Sequence, residues 1–127
     1  MIVGIVNSDH EAVVRFPLLV AQEQEYEIEA VIDTGFSGSL TLTPIIIQLL
    51  ALPFRSRGSA ILADGSEAQF DIYAATILWD GIARNILIEA ADTDPLIGMS
   101  LLYGFQITIC AVDGGRVAVE RLVAEQL

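Results

Sequence analysis

Ala30-Val31-Ile32-Asp33-Thr34-Gly35 is a β-branched, apolar run that ends in an acid, a hydroxyl and a glycine. Val31 and Ile32 favour an extended, half-buried backbone, and Gly35 frees the chain to turn directly after the carboxylate. The stretch reads as a strand that anchors in a core and delivers Asp33 to a loop. Leu96-Ile97-Gly98, a second apolar pair closed by glycine, reads as another version of the same strand-to-loop device.

Outward from these two motifs, hydrophobicity alternates mostly with period two and turn residues interrupt it at short intervals, the pattern of an all-β domain with few helices. Strands are expected near residues 2–6, 12–20, 26–32, 58–63, 67–78, 83–90, 105–112 and 116–121. Asp64-Gly65, Asp80-Gly81 and Asp113-Gly114-Gly115 are hairpin turn signals, because aspartate and glycine tolerate positive φ. Pro44 suits the first turn of a helix over 45–51, and 99–103 suits a short helix stopped by Gly104. No linker, low-complexity tract or close tandem repeat divides the chain, so residues 1–127 are expected to form one domain.

The chain has 127 residues and 13.7 kDa, with 17 acidic side chains against 6 basic ones, all arginine, for a net charge of −11. Nucleic acid is an unsuitable partner, since phosphate binding needs a basic patch. Cys110, the lone cysteine, excludes an internal disulfide and lies in an apolar run, where it is expected to be a small buried hydrophobe. His10, the lone histidine, sits beside Asp9 in a turn-like segment, so His/Cys metal clusters are excluded and no cofactor is implied. Met1 leads directly into a strand-like run without a basic, cleavable leader, which reads as a cytoplasmic protein. Two uncharged stretches, 34–54 and 95–112, are long enough to span a bilayer. Pro44, Gln48 and Pro53 interrupt the first, and Pro95, Gly98, Gly104 and Gln106 the second, so both are expected to be buried in a domain that does not enter a membrane. Glu23, Glu25, Glu27 and Glu29 share one face of a strand and read as a solvated face that discourages edge pairing.

Asp33 carries the chemistry. Two carboxylates held close share one proton, because like charges at that range cannot both ionise; the ionised one takes a proton from water while the other donates to a carbonyl oxygen. One chain offers one such loop, so the second aspartate has to come from a second subunit. Gly35 lets the backbone approach the carboxylate and donate its N–H. A nucleophilic-serine reading of Gly35-Phe36-Ser37-Gly38-Ser39 is weak, since its last position is Ser39 instead of glycine and His10 is the sole candidate base.

The ordered set of Asp33-Thr34-Gly35, a central hairpin and Leu96-Ile97-Gly98 before a short helix resembles the retropepsin-like (clan AA) aspartic peptidases. That resemblance implies a closed β-barrel of the acid-protease fold, with a flap hairpin and one or two short helices in each subunit. It further implies an obligate homodimer that hydrolyses peptide or protein substrates with water activated between two copies of Asp33. Ala63, Asp64 and Gly65 would form the flap tip, Leu96, Ile97 and Gly98 would support the catalytic loop, and the Thr34 hydroxyl would reach across the two-fold axis. By the same analogy, Met1 to Val6 and Val117 to Leu127 are interface candidates. Phe36 departs from the small or hydroxyl residue that many relatives carry after the glycine, leaving Ser37 as a substitute donor to the Asp33 anion. The rival expectations are a catalytically weak or inactive dimerisation or peptide-binding module of the same fold, and an unrelated small β-barrel with Asp33 in a structural turn.

Overall fold

The computed structural model describes residues 1–21 and 24–123. Its strands are β1 (Ile2–Val6), β2 (Ala12–Val20), β3 (Gln24–Ile32), β4 (Leu40–Leu42), β5 (Phe54–Ile61), β6 (Glu67–Trp79), β7 (Ile82–Ala90), β8 (Leu96–Ile97), β9 (Phe105–Ile109) and β10 (Arg116–Arg121). Two helices interrupt them, α1 (Pro44–Leu49) and α2 (Met99–Leu102). Among the described residues no helix is long and apolar enough to cross a membrane.

All these strands belong to one sheet in the order β5-β6-β7-β4-β8-β3-β2-β1-β10-β9. β2 is shared. Its start pairs with β1 through Ile5 and Val6, while further along Leu18 and Leu19 pair with Ile77 and Thr76 of β6. That second pairing closes β2, β3, β8, β4, β7 and β6 into a ring, from which β1, β10 and β9 extend on one side and β5 on the other. Most neighbours are antiparallel; β3 with β8 and β4 with β7 are parallel.

Alternation decides which faces meet. Val14, Phe16 and Leu18 of β2, Ile28 and Ala30 of β3, Ile77 and Trp79 of β6, and Ile86 and Ile88 of β7 all turn into the core. Trp79 is fully buried, with its ring edge-on to Phe16 at 5.4 Å and to Phe105 at 6.1 Å. The Asp80-Gly81 turn that follows has φ of 54° and 78°, so two left-handed residues join β6 to β7 as the sequence predicts for a tight hairpin. Thr43 caps α1 by accepting the Ile46 N–H, and Pro44 occupies its first position.

The departures from the sequence reading have local causes. β5 begins at Phe54 instead of 58, because Phe54 to Arg57 are all exposed on an edge strand and carry no alternation to read. β9 stops at Ile109, since the chain leaves the ladder at Cys110, whose carbonyl accepts the Val112 N–H in a turn closed on Gly115. Cys110 is therefore exposed and not a buried hydrophobe. Glu25, Glu27 and Glu29 are exposed as expected, with Arg15 lying within 3.6 Å of Glu27 and 3.8 Å of Glu29, while Glu23 falls outside the described residues.

Trp79→Ala is expected to lower unfolding free energy by about 3–5 kcal/mol, the usual cost of emptying a buried aromatic site. Urea denaturation checks this, and a loss below about 1 kcal/mol would mean that the Phe16-Trp79-Phe105 cluster does not organise the core.

Candidate active site

The parallel pairing of β3 with β8 sets Val31 opposite Leu96 and Ile32 opposite Ile97, so both strands end at the same place. Beyond the last pair, the Asp33 N–H donates to the Ile97 carbonyl at 2.9 Å. The two motifs of the sequence thus meet directly. Asp33 is half-buried, whereas Thr34 and Gly35 are exposed. The Gly35 N–H donates to Asp33 Oδ1 at 2.9 Å, and the Phe36 N–H to the Asp33 carbonyl at 3.1 Å, folding the loop back on its own aspartate. A Cβ on Gly35 would stand 3.2 Å from that carboxylate oxygen, a tight approach that the Asp33 side chain would have to relieve by shifting.

Gly98 braces the loop from behind. Its N–H donates to the Ser39 carbonyl at 3.0 Å, and the next two N–H groups, of Met99 and Ser100, donate to the carbonyls of Phe36 and Gly38 at 2.8 and 3.1 Å. Orphan donors at the start of α2 are in this way satisfied by the backbone of the Asp33 loop. The Ser100 hydroxyl adds a bond to the Ser37 carbonyl at 2.6 Å. A Cβ at Gly98 would lie 2.2 Å from the Gly38 carbonyl oxygen and 2.6 Å from the Phe36 ring, so only glycine allows this crossing. The Phe36 ring also covers Gly38, and it therefore fills the space left by two glycines. Ser37 makes no hydrogen bond to Asp33 among the described residues; the Gly35 N–H is the donor the carboxylate has.

Two contributors escaped the sequence reading. Thr41, in the three-residue strand β4, is the buried polar residue of the core and accepts the Leu96 N–H on Oγ1 at 2.9 Å. Its signal, a threonine between two leucines, is too short for periodicity to reveal. Glu89, a charge inside the apolar end of β7, is half-buried, and burial pushes its carboxyl above the ordinary glutamate value. Its Oε2 sits only 2.1 Å from where a Cβ on Gly38 would be, so the carboxylate occupies the side-chain space that Gly38 leaves empty.

Ala63, Asp64 and Gly65 lie at the exposed tip of the β5–β6 hairpin. The Leu62 N–H bonds the Ser66 carbonyl at 2.7 Å, Gly65 has φ of 85°, and Asp64 accepts both the Ser66 hydroxyl and the Ser66 N–H. Those two bonds, the hydroxyl first, hold the Asp64 carboxyl below its usual range. Ile61 and Leu62 beside the tip are exposed. Among the described residues no three His, Cys, Asp or Glu side chains converge as a metal-ligand group.

Comparison with solved structures finds a retropepsin-like aspartic protease from Rickettsia conorii, 20% identical, covering 96% of this chain and 90% of that one with a TM-score of 0.58. The fold is retropepsin-like. No protein-family model and no curated protein matches the sequence. At that identity the likeness concerns architecture, and the chemistry has to be argued from this chain's own residues.

Gly98→Ala is expected to cost about 1–3 kcal/mol, because the methyl group has to displace backbone and not a flexible side chain. Thermal melting checks it; an unchanged midpoint would contradict the tight crossing. Glu89→Gln is expected to stabilise the fold at neutral pH. A carboxyl whose folded pKa is raised supports folding while protonated and loses that support as pH rises through the folded pKa. The advantage of the amide should therefore shrink toward acid pH, as paired denaturation curves will show.

Proposed function

We propose that the protein is an aspartic endopeptidase acting as a homodimer, with one Asp33 from each subunit. The observation that carries the reading is Asp33 at the end of β3, its backbone fixed to β8 and its carboxylate tied by one local N–H. Such a group is positioned without being neutralised by a cation. Two of them facing each other across a two-fold axis share a proton, and a water between them loses a proton to the ionised carboxylate as it attacks the peptide carbonyl. The protonated partner donates to the carbonyl oxygen, and no covalent intermediate forms. Thr34, exposed and without a hydrogen-bond partner among the described residues, is placed to bond the neighbouring loop.

Exposed apolar surface supports association. Val3 and Ile5 of β1 each keep 53% of their surface, and Ile109 and Val112 flank a cavity of about 370 Å³ whose wall includes Val31 and Ile32, the residues that lead into Asp33. Of the C-terminal interface candidates, Val117, Ala118 and Val119 are buried in the subunit's own core, and residues 124–127 lie outside the described residues. The dimer surface proposed here therefore rests on β1 and on the segment after β9. The exposed Ile61 and Leu62 suit a hairpin tip, with Ala63, Asp64 and Gly65, that closes over bound peptide and excludes water.

One observation favours the second reading, a peptide-binding module with little turnover. Phe36 offers no hydroxyl to the Asp33 anion, and Ser37 does not replace it.

Asp33→Asn is expected to leave fold and dimer intact and to remove peptide hydrolysis by at least about a thousandfold, since an amide cannot complete the proton-sharing pair. Cleavage of a peptide library at the wild-type rate by this variant would exclude the mechanism. Specific activity should also fall on dilution as subunits separate. Sedimentation that finds a fully active monomer would exclude the shared pair.

A further inference from the structure

A cavity of about 450 Å³ lies between the tail of the Asp33 loop and the base of the flap hairpin, lined by Gly38, Ser39, Phe70, Ile72, Glu89 and Ser100 among others. Its walls come from the tail of the Asp33 loop and from β6 of the hairpin, which a peptide held over Asp33 and under the hairpin would touch, together with β7 and the start of α2. Ile72 is directly opposite Glu89 in the β6–β7 ladder, and Phe70, the next outward residue on the same face of β6, lies across Gly58 of β5. The absent side chain at Gly38 leaves room for the Glu89 carboxylate beside the loop. That carboxylate has neither an ion pair nor a hydrogen bond among the described residues, and burial raises its pKa, so its charge is uncompensated inside the subunit. Arg84 is the other charged residue on the cavity wall. It is anchored elsewhere, with Nη1 donating to the Leu101 carbonyl at 3.2 Å, and it also lines the neighbouring cavity formed with Trp79 and Phe105.

An apolar wall, an aromatic face and an unpaired carboxylate at one end form a chemically specific combination. A long cationic side chain satisfies all three: its methylene stem lies on Ile72, its charged head reaches Glu89, and a guanidinium stacks on Phe70. A net charge of −11 draws such ligands in. We infer that Glu89 is a specificity-determining residue, and that the cavity it shares with Phe70 and Gly38 is a subsite for an arginine or lysine side chain of the peptide substrate. The inference rests on the endopeptidase reading for the word substrate, but its binding claim stands independently.

The test has two arms. In the first, the wild-type dimer and Glu89→Gln digest a mixed peptide library, and cleavage products are sequenced by mass spectrometry. Arginine or lysine should be enriched about tenfold at one position relative to the cut, the size of discrimination that a charge-assisted contact supplies, and Glu89→Gln should flatten it to within about twofold. Glu89→Lys should invert the preference toward aspartate and glutamate. In the second arm, Asp33→Asn protein, with and without Glu89→Gln, is titrated with fluorescent peptides that differ only by arginine or glutamine. An arginine preference that Glu89→Gln abolishes supports the subsite even if the wild type cleaves nothing, in which case the hydrolytic reading alone fails. Equal binding of both peptides, binding of neither, or a basic preference that survives Glu89→Gln overturns the inference. The melting midpoint of each variant separates a lost contact from a lost fold.

Discussion

The hydrogen bonds that join the end of β3 to the end of β8 are the constraint on which the site depends. Asp33 donates to Ile97, and Gly98 donates to Ser39, so one short segment holds both the approach to the aspartate and the exit from its loop. A two-residue strand has little cohesion of its own. β8 is held because β3 flanks it on one side and β4 on the other, with Leu40 paired to Ile97, and because Ile97, Leu101 and Leu102 are buried. Burial of such side chains is worth about 1.5–3 kcal/mol each, enough to fix a loop that would otherwise sample many conformations. The position of the carboxylate is thus set by packing several residues away.

Glycine at 98 and the aromatic ring at 36 are two halves of one solution. The loop carbonyls approach α2 so closely that a side chain at 98 has no room, and the Phe36 ring closes the space over Gly38 and Gly98. Filling that space with a ring, and not with a hydroxyl, leaves Asp33 with the Gly35 N–H as its donor. The same economy at Gly38 admits the Glu89 carboxylate, whose partial burial disfavours its charged form. A charge retained in so poorly hydrated a place costs stability.

Much of this was legible in the sequence, for physical reasons that also mark the limits. β1, β2 and β10 have the bounds expected from their apolar runs and flanking turn residues, although β10 buries Val117, Ala118 and Val119 in succession, and the Asp80-Gly81 turn is dictated by positive φ. Asp33-Thr34-Gly35 and Leu96-Ile97-Gly98 could be paired by their shared pattern, and the structure does bring them together. β4 was invisible because three residues carry no period, and with it went Thr41, whose hydroxyl matters through a partner distant in sequence, the Leu96 N–H. Glu89 was hidden for a similar reason: its role depends on the vacancy at Gly38, a contact between separate elements that no local pattern records. Cys110 was misread because an apolar run does not reveal where a ladder stops.

The central claim is that two Asp33 loops face each other across a two-fold axis. The most direct measurement is the separation of the two Asp33 carboxylates in a crystal structure of the dimer. The account predicts oxygen atoms about 3 Å apart, close enough to share a proton and hold one water between them. A dimer whose Asp33 carboxylates are separated by solvent or lie on opposite faces would contradict it.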